Sequence, residues 1–496
     1  MTFDQEALLE KVSWFELGPN WKSTIYGRAA QWAYNPVRHF RSLLSTKSWR
    51  RSGTLRPTAY LDGLRGFAAL LVYILHNQVW AHDSLKSDKI FENGFGYDRQ
   101  FYFATLPGIR TFFSGGHFAV AVFFVISGYV LSHKPLRLIH DGELVKLGDN
   151  LASAFFRRWL RLYLPVIATT FVWMTLNYLI RGLTINKAEP RYLDEFTLWY
   201  NELKGFSFIF RLGGEPWFTY NFHVWTIPLE FKGSIVVFTS LLAFSRCTRN
   251  TRLWCQLGLV YYFLYIVDGW YCSLFVAGML LCDLDLLAQS DNLPDFFNLF
   301  QPHKDSILIG MFVVGLYLGG VPAFSPDLQV LRDSPGWYYL SFLKPQAVFM
   351  VKSFYLFWAG IFMVVASGRI SWLRGFFELP FNQYLGRVSY AFYLVHGPVL
   401  WCIGDRVYAA VGWTRAAHAI NISSWANVAR LPNFGPLGLE FNFLAAQLIL
   451  LPLTLWFAKV VTVLIDDPTI QFSRWLYTKA TKPATSPLRP ITGLSA

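Results

Sequence analysis

The sequence predicts an all-α, polytopic membrane protein, with about ten transmembrane helices forming a bundle. Three observations carry this. Only 15% of the 496 residues are charged, against about 25% in soluble domains. Hydrophobic residues make up 54% and aromatic residues 18%. Windows of about 20 residues with few or no charges recur along the chain, and that is the length an α-helix needs to cross the hydrocarbon core. The apolar runs are continuous rather than alternating, which argues against a membrane β-barrel.

Taken in order, residues 1–59 open with "MTFDQEALLEKVSWFELG", acidic and amphipathic and without the apolar centre of a signal peptide. They read as a cytoplasmic N-terminal region before an uncleaved first span. Hydropathy places the spans at 62–81, 115–133, 162–180, 220–244, 253–267, 270–287, 306–324, 347–367, 385–405 and 442–466. Glu230, Lys232 and Asp268 interrupt or flank the fourth to sixth of these. The membrane domain is expected over residues 60–470. The remainder, 471–496, ends in "KATKPATSPLRPITGLSA", a Pro-, Ser- and Thr-rich run expected to be a disordered cytoplasmic tail.

The net charge is +13. With both termini in the cytoplasm, the predicted inside segments hold more lysines and arginines than the outside loops, so the charge reads as membrane topology rather than as nucleic-acid binding. Segment 288–305, with a single lysine, is the exception. The sequon Asn421-Ile422-Ser423 falls in a predicted outside loop and marks Asn421 for glycosylation. An endomembrane such as the endoplasmic reticulum is the expected location. The five cysteines are scattered without CxxC or Cys/His ligand spacing, so neither a disulfide framework nor a metal site is read.

The polar residues inside the apolar runs are the candidates for chemistry. In "YLDGLRGFAALLVYILH", Arg65 and His76 are eleven residues apart. On a helix that spacing returns to within about 20° of the same face, about 16 Å further along the axis. Ionisable groups at membrane depth are costly and point to function; spacing alone leaves open that Arg65 snorkels to the interface and His76 satisfies another polar group. "FFRRWLRLYLP" places Arg157, Arg158 and Arg161 at the cytoplasmic end of the third span. Guanidinium groups suit bidentate phosphate binding, although a basic flank also satisfies topology.

"HVWTIPLEF" sets Glu230 in an apolar helix behind His223 and Trp225. A carboxylate there needs a partner from another segment, since Lys232 at i+2 faces away; Arg65 or an arginine of the second cluster would serve. In "GGHFAVAVFFVISGYVLSH", Ser127 and Gly128 read first as close helix packing. His117 opens that span where a loop can hydrate it. "LGRVSYAFYLVHGPV" holds His396 beside Gly397-Pro398, a pair expected to break the helix and free carbonyls that His396 can bond. Tyr390 and Tyr393 read as packing residues. No GxSxG, HExxH, GxxxxGK[ST] or GxGxxG motif occurs.

Together these blocks, with "DDPTIQ" after the last span, resemble the acyltransferase type 3 family of integral membrane acyltransferases, and its fungal members most. They occur in family order from residue 60 to about 470. The resemblance implies a bundle around a pore for acyl-CoA, which enters from the cytoplasm, and transfer of an acyl group to a hydroxyl of a small molecule such as a secondary metabolite. Acetyl is the first expectation by the same likeness. It also implies that Arg65 and His76 are the essential pair, with His76 as general base, that Arg157, Arg158 and Arg161 bind the nucleotide phosphates, and that Trp225 and Glu230 form the family's Trp-to-Glu motif. Ser127, His117 and His396 are lesser substrate-site candidates. Acyl-CoA is a co-substrate and no bound cofactor is expected. The family's "SLSVEEQ" is here "TIPLEFK", so the second acid is absent, and no fused serine-hydrolase domain is visible.

Two other readings compete. A secondary transporter also carries His and Glu near the midplane, but commonly shows paired interrupted helices, and here only the ninth span holds a Gly-Pro pair. A membrane acyltransferase of the MBOAT type would use the late histidine, His396, in place of His76.

Overall fold

The computed structural model describes residues 55–82, 90–184, 187–210, 216–323, 325–414 and 419–481. Among these, the regular elements are all helical. The principal ones are α1 (Ala59–Ala81), α2 (Gly116–His140), α3 (Leu144–Leu179), α4 (Tyr192–Ser207), α5 (Thr226–Ala243), α6 (Arg249–Tyr261), α7 (Trp270–Gln289), α8 (Lys304–Gly319), α9 (Val351–Arg369), α10 (Ser371–Glu378), α11 (Pro380–Val399), α12 (Phe441–Val461) and α13 (Asp467–Ala480).

Six stretches are long and apolar enough to cross a membrane: α2, α3, Thr219–Ala243 with α5, α7, α9 and Phe441–Ala480 with α12. The expected count is about ten. Of the remaining expected spans, α6 and α8 are 13 and 16 residues long, while α1 and α11 are long enough but more polar. The last two have a physical reason to be so. Most of their residues are buried against protein, and a helix shielded from lipid need not be apolar all round.

α1 lies between α2 and α11, and α2 packs in turn on α7 and α9. Backbone contact makes the α1–α11 pair tight: a Cβ on Gly66 would come 2.2 Å from the Gly386 nitrogen, and one on Gly386 would come 2.2 Å from the Asp62 carbonyl oxygen. Gly66 and Gly386 therefore set the distance between the two helices. Arg65 reaches Gly386 and His76 reaches His396, so the two helices run in the same direction.

Away from this pair, α2, α6 and α7 are tied by a buried network around Asp283. Its carboxylate accepts from Arg252 Nε at 2.7 Å, Arg252 Nη2 at 3.0 Å and Gln256 Nε2 at 2.7 Å, and lies 2.8 Å from His140 Nε2. Each lone pair of the carboxylate is thus engaged, which a buried charge requires. The five cysteines are free.

Three boundaries differ from expectation. α3 begins at Leu144 rather than 162, because residues 144–161 are amphipathic: Leu147 and Leu151, at i and i+4, bury one stripe, which a hydropathy window does not register. α11 is not broken at Gly397-Pro398; it continues through Val399 into a π-helical turn, Leu400–Gly404. Pro398 still frees the Leu394 carbonyl, and Asn221 Nδ2 bonds it at 2.9 Å. After α12 a second π turn, Thr462–Asp466, leads into α13, so the tail is helical to Ala480; its remainder from 482, like residues 1–54, lies outside the described residues. Asn421 of the sequon is exposed, with Nδ2 donating to the Thr184 carbonyl at 2.9 Å.

Candidate active site

Arg65 and His76 of α1 face the same neighbour, as their spacing predicts. Arg65 Nη2 donates to the Gly386 carbonyl at 3.0 Å and lies 3.4 Å from Asp62 Oδ1. Three turns further on, Nδ1 of His76 sits 2.8 Å from Nε2 of His396. The rings of this pair are nearly parallel, with centroids 5.0 Å apart.

The proton positions in this pair follow from its far end. Nδ1 of His396 lies 2.7 Å from the Tyr393 carbonyl. A carbonyl only accepts, so that nitrogen carries the proton. In the neutral ring, Nε2 of His396 then offers a lone pair, and Nδ1–H of His76 must donate to it. Nε2 of His76 is left unprotonated, with no hydrogen-bond partner among the described residues. The arrangement is that of a base whose tautomer and ring orientation are set by a second group.

A third histidine joins them. His223 is 5% exposed, its ring centroid 3.9 Å from that of His76 and 4.7 Å from that of His396. It comes from the 3₁₀ turn Thr219–Trp225 that leads into α5. Tyr393 fixes this turn: its hydroxyl donates to the His223 carbonyl and lies 2.7 Å from Thr226 Oγ1. Tyr393 is therefore a polar tie and not only a packing residue. Gly397 is needed here too, since a Cβ would fall 2.3 Å from Nδ1 of His223.

The sequence reading missed His223 as a site residue, because residues 76, 223 and 396 share no local spacing. A usable signal was that three of the quoted blocks each carry one histidine. Ligand nitrogens of the three lie within 4.8 Å of one another and could hold a metal ion. The 2.8 Å between His76 and His396 is hydrogen-bond contact, shorter than the roughly 3.3 Å between two nitrogens on a tetrahedral zinc at about 2.0 Å each.

Toward the Arg65 end, the arginines of α3 divide. Arg158 Nη2 pairs with Glu230 Oε1 at 2.5 Å and its Nε donates to Ser234 at 2.8 Å. This supplies the partner that Glu230 required. Arg161 and Arg65 both lie within electrostatic reach of Asp466, the last residue of the second π turn. Arg157 instead bonds the Ser153 carbonyl of its own helix at 3.0 Å. Tyr390 bridges the elements, donating to the Leu162 carbonyl at 2.5 Å.

The remaining candidates lie around these two centres. His117 Nε2 is 3.3 Å from Glu92 Oε2 and is close enough to His76 to interact with it electrostatically. Burial opposes ionisation of Glu92, but His117, Lys352 and Arg110 hold its carboxyl below the ordinary 4.5. Trp225 is half-buried against the main core. Ser127 is half-buried on α2, and its neighbour Gly128 is the close-packing residue, since a Cβ there would come 2.0 Å from the Phe275 carbonyl oxygen.

Comparison with known proteins gives the same blocks a family. A family model described as an acyltransferase domain matches residues 58–463. The O-acetyltransferase PaAT-1 of Phomopsis amygdali is 29% identical over 472 residues, covering 86% of this chain and 86% of its own. The acyltransferase clz18 of Cochliobolus lunatus is 23% identical, over 74% of this chain and 88% of its own. The acyltransferase R4 of a Phoma species is also 23% identical, over 71% and 84%. No solved structure matches the chain. The family match spans the first helix, the three histidines and the arginine clusters alike, and on it the chain belongs to the acyltransferase type 3 family and is an acyltransferase.

Proposed function

We propose that the protein is an integral membrane O-acyltransferase that moves an acyl group, acetyl first, from acyl-CoA to a hydroxyl of a small-molecule acceptor such as a secondary metabolite. The observation that carries the reading is the unprotonated, unbonded Nε2 of His76, held in that tautomer by His396 and the Tyr393 carbonyl. In this role Nε2 takes the acceptor's hydroxyl proton as the oxygen attacks the thioester carbon. It returns the proton to the departing coenzyme A sulfur. A positioned base of this kind contributes about 10²- to 10⁴-fold.

His396 serves as the orienting group, because both its nitrogens are already engaged. This favours His76 over the late histidine as base. Arg65 and Arg161, both within electrostatic reach of Asp466, hold the phosphates of coenzyme A, and the arm runs the roughly 16 Å up α1 to His76. The arginine end faces the cytoplasm, with both termini on that side, and the helices around α1 form the passage for the donor. The likeness to the O-acetyltransferase of Phomopsis amygdali supports O-acetyl transfer.

The test supplies membranes bearing the protein with isotope-labelled acetyl-CoA and an extract of small molecules from the source cells. The expected result is a product heavier than its precursor by one labelled acetyl group, made only when the protein is present. Label that stays in acetyl-CoA, with the protein inserted and intact, overturns the reading.

A further inference from the structure

His223 has no role in the mechanism above, yet it is buried at the centre of the site, 5% exposed. Its Nδ1 is buried without a hydrogen-bond partner, and its ring is clamped between His76 and an aromatic wall. Trp401 lies nearly parallel at 5.2 Å and Phe222 is at 4.2 Å. The proton of this ring is placed by sterics. Nδ1 faces Gly397 so closely that a Cβ there would be 2.3 Å away, and the glycine's own hydrogen occupies that direction. A lone pair tolerates this contact, whereas a second hydrogen does not. The neutral ring therefore carries its proton on Nε2, which makes no hydrogen bond among the described residues.

Two neighbouring imidazoles are thus set in opposite senses. His76 presents a free lone pair, and His223, one of whose ring nitrogens lies within 4.8 Å of a ring nitrogen of His76, presents a free N–H. A single tetrahedral carbon with two oxygens can span such a gap. We infer that His223 is a second catalytic residue, whose Nε2–H donates to the carbonyl oxygen of the acyl group as that oxygen takes up negative charge. The inference rests on the reading of His76 as general base.

The electrons balance as follows. The acceptor oxygen forms a bond to the thioester carbon, its proton passes to Nε2 of His76, and the carbonyl π pair moves onto oxygen under the His223 N–H. The pair then returns, the carbon–sulfur bond breaks, and sulfur leaves with the proton from His76. A fixed donor at a developing oxyanion is worth about 10²- to 10³-fold in kcat, and it acts there because the ring is held by stacking and by the Tyr393 tie rather than by a bond that it must give up.

The test compares His223→Phe, which keeps the stacked ring without a donor, with His223→Gln, which restores an N–H. Both are assayed for acetyl transfer in membranes at matched protein level, beside His76→Ala. The Phe variant is expected to lose about 10²-fold or more in kcat with KM changed less than about threefold, and the Gln variant to recover at least about tenfold of that. The pH dependence of the Gln variant should keep the wild-type limb, because the base is unchanged. A Phe variant within about threefold of wild type, or a Gln variant no better than Phe, overturns the inference. If His76→Ala alone keeps the wild-type rate, it is the base assignment that fails. Activity lost on dialysis against a chelator and restored by zinc would instead make the three histidines metal ligands.

Discussion

At the scale of single residues, the account turns on which nitrogen of which histidine is free. His76 is half-buried and His396 buried, and the sequence offered no reason to rank one over the other beyond the family likeness. Hydrogen-bond direction separates them: the Tyr393 carbonyl fixes His396, and His396 fixes His76. His396→Ala removes an orienting group and leaves the base, so kcat is expected to fall by about ten- to a hundredfold, less than for His76→Ala. Single-turnover transfer rates of the two variants check this. A dead His396→Ala beside an active His76→Ala would exchange the two roles. Arg65 and His76 were legible as a pair from their spacing, because helical periodicity is local. His223 was not, because its neighbours come from α1 and α11, which are separated from it by well over a hundred residues.

At the scale of elements, the site depends on the close parallel approach of α1 and α11. Gly386→Ala sets a methyl 2.2 Å from the Asp62 carbonyl oxygen, and backbone cannot yield as a flexible side chain can. The expected outcome is a cost of about 1–3 kcal/mol with a lowered detergent melting temperature, together with reduced transfer as both Arg65 and His76 shift against α11. An unchanged melting temperature and rate would show that the spacing is not critical. The Glu92–His117 pair gives a pH-dependent element. Its folded carboxyl sits below the ordinary 4.5, so its stabilisation is present above that value and is lost as pH falls through the lower, folded value. Unfolding midpoints of wild type and Glu92→Gln should therefore differ near neutrality and converge below pH 4.5; a constant difference would count against the pair. Most helices were legible from hydropathy. The long first half of α3 and the helical continuation to Ala480 were not, because amphipathic helices bury one stripe and leave the window average polar.

At the scale of the whole molecule, the arrangement reads as a depth gauge: guanidinium groups at one end of α1, imidazoles about three turns away. Arg65 and Arg161 lie on helices far apart in sequence, and both come within electrostatic reach of Asp466. Arg65→Ala and Arg161→Ala are each expected to raise the KM for acetyl-CoA by about tenfold with a smaller change in kcat, an effect that grows weaker as salt screens the wild-type clamp. Steady-state titration of acetyl-CoA on permeabilised membranes checks this. An unchanged KM in both variants would dismiss the phosphate clamp.

The most direct test of the account is the rate of acetyl transfer by His76→Ala, measured in membranes at wild-type protein level with the labelled donor. A free Nε2 acting as general base predicts a loss of about 10²-fold or more, with KM for acetyl-CoA little changed because Arg65 and Arg161 remain. A variant that transfers acetyl at the wild-type rate would contradict the central claim.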